Sequence, residues 1–294
     1  MKVALQFLAT AAFLLIGTTQ LLAQVPGDIM EEPGQEGATT TVGDFGEPID
    51  DIVDKRMVDD RRVLPYEDVR ESDIMWEKRI WRVIDVREKI NLPFAYPERP
   101  FFTVLQEASE EGSIQLYSTI DDEFTTPLSE EEAAAMAGEI DTIVTYDPVT
   151  YDEIIEVVVN ELNPEDIKRF RLKEVWFFDR ESSVMRVRIL GIAPLKDVYD
   201  ENGNFLYELP MFWVYYPHAR HVLAREEAYA YGNDAAQRSW EDVFESRFFG
   251  SYIFQESNVH GRRISSYLTG RDALLEADRI KAEIFNFEHD LWEY

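Results

Sequence analysis

The chain contains no cysteine. That excludes disulfides, thiolate metal sites and a thiol nucleophile together, so stability has to come from an ordinary apolar core. It also excludes the lipid-bearing Cys that follows a lipoprotein signal. Positive charge is scarce as well: 29 Lys and Arg stand against 58 Asp and Glu, a net charge of −29. Nucleic-acid binding needs a basic footprint that releases counterions, and no Lys/Arg cluster here outweighs its acidic neighbours. Anionic membrane surfaces are disfavoured for the same electrostatic reason. Such a surface suits solubility, divalent cations, or a partner with a basic patch.

Several chemical signatures are missing too. Neither G-x-x-x-x-G-K nor G-x-G-x-x-G occurs, which removes the usual phosphate-cradling loops, and G-x-S-x-G is absent, which removes the nucleophile elbow. Of only four His, His218 and His221 lie three apart in a segment expected to be helical. A zinc protease would use H-E-x-x-H, whereas this segment reads His218-Ala219-Arg220-His221, and Arg220 and Arg225 oppose a cation. Asp200, Asn202 and Asn204 resemble the start of a calcium loop, but its sixth position is Phe205 instead of Gly, and a hairpin turn accounts for Asn202-Gly203. Adjacent acids such as Asp121-Asp122 are ordinary on so acidic a surface. No catalytic, cofactor-binding or metal-binding residues are assigned.

One long apolar stretch is present, at the start. Lys2 precedes an uncharged run from Val3 to Val25 whose Leu/Ala/Phe-rich core ends at Ile16, which reads as a signal peptide cleaved after Ala23. No second run approaches spanning length, so the expectation is export without membrane insertion. Residues 24–49 are rich in Gly, Pro, Thr and acids, and read as a flexible acidic leader that buries too little to offset its ordering entropy.

From about residue 50 to 294 the pattern predicts one α+β domain, antiparallel β-hairpins with flanking helices, subdivided near Asn163. A long helix is expected from Ser72 or Asp73 to Lys89, with Trp76, Ile80, Val83, Ile84, Val86 and Ile90 on one stripe and Ile74 and Trp81 on the opposite side. A second helix fits 101–111, ended by Gly112, and a short strand fits 114–118. Ser129 with Glu132 forms a capping box for a short helix over 130–137, with Gly138 as its stop. After Asn163-Pro164 the pattern changes from helical to β. Val175-Trp176-Phe177-Phe178 and the alternating Met185, Val187, Ile189 predict one hairpin, Leu195–Tyr199 and Phe205–Tyr207 another, and 211–216 a central strand. Ser239 with Asp242 caps a helix through Phe248, and Thr269 with Asp272 opens the last. Along that last helix Ala273, Ala277, Ile280, Ile284, Phe287 and Leu291 form a short seam, best read as packing on the parent domain.

Aromatic residues make up 13% of the chain. Trp and Tyr are favoured at interfaces because they bury large areas at low entropic cost. Ile74, Trp81, Phe287 and Trp292 are accordingly the candidate interface residues.

Three runs are more idiosyncratic than any short motif. They are Arg61-Arg62-Val63-Leu64-Pro65-Tyr66 with Asp73-Ile74-Met75-Trp76-Glu77-Lys78-Arg79-Ile80-Trp81-Arg82-Val83-Ile84-Asp85, Leu172-Lys173-Glu174-Val175-Trp176-Phe177-Phe178-Asp179 on to Ile189-Leu190-Gly191-Ile192-Ala193-Pro194, and Trp240-Glu241-Asp242-Val243-Phe244 through Phe248-Phe249 to Glu256-Ser257-Asn258. Over about residues 50–258 the chain resembles the GldN (PorN) family of gliding-motility and type IX secretion proteins. The resemblance implies a periplasmic, non-catalytic component that assembles with an outer-membrane lipoprotein of GldK/PorK type into a ring and meets an inner-membrane motor subunit of GldM/PorM type. It brings no catalytic residues. A chain with neither anchor nor lipid-bearing Cys would be held at the outer membrane by a partner, which a lipoprotein supplies. The readings left beside it are a periplasmic hydrolase acting on cell-wall or carbohydrate substrates, and a calcium or small-ligand module.

Overall fold

The computed structural model describes Ile52, Val58 and residues 60–291, except 130–131, 134–137, 147–152, 162, 201–202 and 234; of 138–146 and 153–161 it describes the backbone. The chain divides into Met1–Asp54 and Lys55–Tyr294, and every element named below belongs to the second unit. The expected signal peptide, the leader and Trp292 lie outside the described residues.

The first element corrects the expected long helix. Residues 71–73 make a single 3₁₀ turn, and Ile74–Asp85 is then a twelve-residue strand, β1. Positions 76, 80 and 84 share one side under both a 3.6 and a 2.0 period, so the apolar spacing alone does not separate helix from strand. Composition does. Ile74, Ile80, Val83 and Ile84 are β-branched and Trp76 and Trp81 aromatic, side chains that lose rotamer freedom in a helix and pack well on a pleated surface.

Helix α1 (Phe101–Glu110) follows and ends before Gly112, whose φ of 70° suits a glycine. Next come β2 (Leu116–Tyr117), β3 (Gly138–Tyr146) and β4 (Glu153–Glu161). β3 and β4 pair from Gly138↔Glu161 to Tyr146↔Glu153 as a separate hairpin, so the stretch before Asn163 is not helical and Gly138 opens a strand. Ile, Val and Thr dominate both strands, which again favours extended backbone. The Ser129 and Glu132 capping box is present: Glu132 N–H donates to Ser129 Oγ (3.3 Å) and Ser129 N–H to Glu132 Oε2 (3.0 Å). Most of the helix it was expected to open lies outside the described residues.

β5 (Ile167–Asp179) and β6 (Val184–Tyr199) form the first expected hairpin, and β6 continues into the second with β7 (Phe205–Pro210), around Gly203 at φ 79°. β8 (Trp213–Tyr215), α2 (Tyr216–Leu223), β9 (Glu227–Ala228), β10 (Arg238–Ser239), α3 (Trp240–Glu245), β11 (Tyr252–Glu256) and α4 (Arg271–Asp290) complete the chain. The expected Ser239 and Asp242 capping box stands at α3, which stops at Glu245 instead of Phe248. At α4 the cap is Gly270 (φ 58°), not Thr269.

The main sheet has seven strands in the order β11-β1-β5-β6-β8-β2, with β7 also on β6, and every pairing is antiparallel. Its larger core packs α1, α2 and α3 against Ile84, Phe170, Leu172 and Ile192. Phe94, Phe101, Phe170, Trp240 and Phe244 meet there, their contacting rings having centroids 4.5–6.4 Å apart. A smaller cluster lies under α4, where Ala277, Ile280 and Ile284 cover Ile80, Ile253 and Ile264. The seam read from the sequence is therefore an intramolecular one. Ile80 and Ile84 share a face of β1, and between them sits Arg82.

Candidate functional site

A cleft of about 560 Å³ opens beside α4, lined by Arg82, Trp176, Arg247, Phe249, Lys281 and Phe285 among others. Beneath it is a charged knot. Register sets Glu174 of β5 opposite Ile80 on β1 and Ile189 on β6, at the centre of the sheet and fully buried. An isolated carboxylate there would be prohibitively costly, so its oxygens must be met by donors. Arg82 Nε donates at 3.0 Å, Arg247 Nη2 at 2.8 Å and the Trp176 indole Nε1 at 3.0 Å. Both guanidiniums also lie over the Trp176 ring, 5.8 and 5.2 Å from its centroid. Burial pushes the Arg82 guanidinium below its ordinary value, opposed by Glu174 and reinforced by Arg247.

Arg247 is held in an uncommon conformation. It follows α3 at the position where a left-handed residue closes a Schellman motif: Phe248 N–H donates to Val243 O (2.9 Å), Arg247 N–H to Phe244 O (3.1 Å), and Arg247 φ is 54°. Glycine is the usual occupant because a side chain there costs about 1–2 kcal/mol. An arginine at that position supplies a side chain that glycine lacks, and here it reaches Glu174. Its Nη1 is buried with no hydrogen-bond partner.

The cleft wall is fixed by Asn91, which donates to Asp85 O (2.8 Å) and Gly250 O (3.0 Å) and accepts from Gly250 N–H (2.8 Å). A Cβ on Gly250 would collide with Glu88 and Ile90. Glu288 accepts Met185 N–H at 3.2 Å, tying α4 to β6. Lys281 is exposed and has no ion pair among the described residues.

A second constellation straps the segment before β1 onto the body. Tyr66 Oη donates to Glu245 (2.6 Å), as does Tyr216 (3.1 Å), and burial raises the pKa of both phenols. Arg220 stacks over Tyr66 at 4.0 Å and pairs with Glu241 at 2.7 Å.

The interface candidates fall in different places. Trp81 is half-buried on the sheet face opposite Trp76, its indole donating to Asp122 at 2.6 Å and its ring 5.8 Å from the Lys173 ammonium. Ile74 is half-buried and pairs with Asp179. Phe287 is half-buried on α4, stacked on Trp76 at 4.7 Å and edge-on to Phe178 at 6.3 Å. Trp81 and Phe287 are not brought together. No cluster of metal-ligating side chains occurs among the described residues. His218 lies edge-on to Tyr215 at 4.8 Å, and Asp200 accepts from Asn204 N–H (2.7 Å) within the β6–β7 turn. The knot itself was not anticipated, although a Lys-Glu pair inside the apolar run 172–178 is the one signal that could have marked it.

The chain is an antiparallel α+β body whose most built feature is a buried carboxylate knot beneath the α4 cleft. The chain belongs to the GldN family: the family described as gliding motility associated protein GldN matches residues 69–293. It is thus a component of the gliding-motility and type IX secretion machinery. The match takes in α4, which lies beyond the resemblance read from the sequence. Among curated proteins none matches the chain.

Proposed function

We propose that the chain is a structural, non-catalytic subunit of the type IX secretion and gliding machinery, exported to the periplasm by a signal peptide over residues 1–23 that is cleaved after Ala23, leaving a leader at 24–49 ahead of the body. In this reading it assembles with an outer-membrane lipoprotein of GldK/PorK type into a ring and contacts an inner-membrane motor subunit of GldM/PorM type. The observation that carries it is the family match over residues 69–293. Support comes from the chemistry of the cleft, whose buried carboxylate is saturated by three donors and so is disposed to hold structure in place. Among the described residues no helix is long and apolar enough to cross a membrane, which agrees with attachment through a partner.

The test is to complement a strain lacking the gene with a tagged chain, then isolate the tag from the envelope. Restored secretion with a lipoprotein co-isolated in fixed ratio is the expected result. A chain that restores secretion while isolating alone overturns the scaffold reading. So does a neutral replacement of one exposed Asp, Glu or His that abolishes secretion with the complex intact, since a general acid or base contributes about 10²- to 10⁴-fold in rate.

A further inference from the structure

The outward side of α4 carries a second stripe, distinct from the one packed on the sheet. Arg271, Leu274, Asp278, Lys281, Phe285 and Glu288 follow one another at alternating steps of three and four, so they line one side of the helix, about 100° round from Ala277, Ile280 and Ile284. All but Glu288 are exposed, Leu274 by 59% and Phe285 by 73%. Arg271, Asp278 and Lys281 make no ion pair among the described residues, and Glu288 gives one carboxylate oxygen to Met185 N–H. The acids Glu276 and Glu283, off the stripe, are taken up by Arg279 at 2.7 and 3.1 Å. On the side away from the sheet the stripe is bordered by Leu275, Ala282 and His289, which add no acid.

We propose that α4 packs antiparallel on α4 of a second copy of this chain, about a two-fold axis near the helix midpoint. In that arrangement each stripe residue meets its complement. Leu274 faces Phe285 of the second copy, Asp278 faces Lys281 and Arg271 faces Glu288, every contact occurring twice. All three pairs are centred between residues 279 and 280, so a single alignment satisfies them together. Cations and anions balance along the stripe, which gives a merely acidic or merely basic partner no advantage and leaves the order of the charges as the selector. Sliding one helix by a heptad either way brings Asp278 onto Glu288, or Lys281 onto Arg271, of the second copy. A parallel pair sets each charge against itself. Twenty residues make a helix about 30 Å long, and one such face buries no more than the low end of stable interfaces, about 1,200 Å². The pairing is therefore weak and concentration-dependent.

The test is sedimentation equilibrium of the mature chain over graded concentrations. Self-association is expected. Lys281→Asp should raise the dissociation constant about tenfold by setting like charges across the axis, and the double change Asp278→Lys with Lys281→Asp should restore it. Both positions are exposed, so these variants keep the fold, which a thermal melt checks. Because the chain has no Cys, cross-linking gives a second readout. Leu274→Cys and Phe285→Cys chains, mixed, should form a mixed disulfide about tenfold faster than either alone, since like positions lie about 16 Å apart along the axis. A chain that stays monomeric up to about 1 mM overturns the proposal, as does a double variant that associates no better than Lys281→Asp. Faster cross-linking of either variant alone than of the mixture would reveal a parallel pair and overturn it too. So would shielding of Phe285 found only in the isolated envelope complex, which would give the stripe to a different subunit. Self-pairing through α4 needs no other subunit, so its failure leaves the assembly role to its own test.

Discussion

Replacing Arg247 separates what its backbone costs from what its side chain contributes. Arg247→Gly deletes the hydrogen bond to Glu174, worth about 1.5–3 kcal/mol for a charged pair, and the stacking on Trp176 and Phe249, about 0.5–1 kcal/mol. Against this, glycine at φ 54° removes a penalty of about 1–2 kcal/mol. The net expectation is a modest loss of about 1–2 kcal/mol. Arg247→Ala deletes the same side chain but keeps a Cβ, so it should be less stable than the glycine variant by about 1 kcal/mol. Arg82→Ala gives no backbone relief and breaks the more deeply buried contact, for about 3–5 kcal/mol. Urea unfolding of the mature chain resolves these differences if the slopes agree among variants. For a body of this size each kcal/mol corresponds to about 2–4 °C in melting temperature. Equal stability of the glycine and alanine variants would show that the left-handed backbone carries no cost. A neutral Glu174→Gln would refute the knot, because that change leaves two buried guanidiniums facing an amide.

Asp85 is expected to make the fold acid-sensitive: hydrogen bonds from Arg87 outweigh the opposing effect of burial, with Arg169 adding to them, and push its pKa from 3.8 down to about 2. A folded pKa below the unfolded one means the contribution is complete above pH 4 and fades as pH falls towards 2; it amounts to about 1–2 kcal/mol given the exposure of Arg87, and Asp85→Asn should flatten stability across that window in pH-resolved urea melts. Trp76→Ala should cost about 3–5 kcal/mol by removing the ring stacked on Phe287, whereas Trp81→Phe, which mainly deletes the bond to Asp122, should cost about 1 kcal/mol; equal losses in thermal melts would contradict the packing. Gly250→Ala should cost only about 0.5 kcal/mol, because the added methyl meets the flexible Glu88 carboxylate and the exposed Ile90, and a loss of several kcal/mol in thermal melts would mean that the cleft wall is rigid.

Where local chemistry decides local structure, the sequence was legible. The β5–β6 and β6–β7 hairpins show apolar runs, with alternation at Met185, Val187 and Ile189, on either side of turn residues, and Ser239 with Asp242 marks the start of α3. The α4 seam was legible because a 3.6 period sustained over twenty residues has no strand equivalent. β1 was not, because positions four apart satisfy both periods and the decision fell to side-chain shape. The β3–β4 pair was missed for a related reason: scattered acids among Ile and Val obscure alternation. Trp76 and Trp81 fall on opposite sides in either reading, since an odd separation on a strand reverses the face. The cleft was illegible for a different cause. Residues 82, 174, 247 and 281 meet only through the β1–β5 pairing, the α3 terminus and the docking of α4, and no local pattern encodes such a meeting.

Helix α4 keeps its packed and its open positions side by side. Ala277, Ile280 and Ile284 face the sheet, and Lys78 ties the helix down by pairing with Glu283 (3.3 Å) and, on β11, with Glu256 (2.7 Å). One residue beyond Ile280 and Ile284 lie Lys281 and Phe285, which turn to the cleft. A step of 100° is enough to move a side chain from the packed stripe to its margin, so the helix must dock correctly for the cleft to exist. Truncating Ile280 should therefore lose folding stability and the cleft together, since a buried Ile→Ala change costs about 2–5 kcal/mol. Truncating Lys281 or Phe285 should spare the fold, because surface changes away from packed features stay within about 0.5 kcal/mol. The contrast between adjacent residues on one helix shows which positions hold α4 to the sheet.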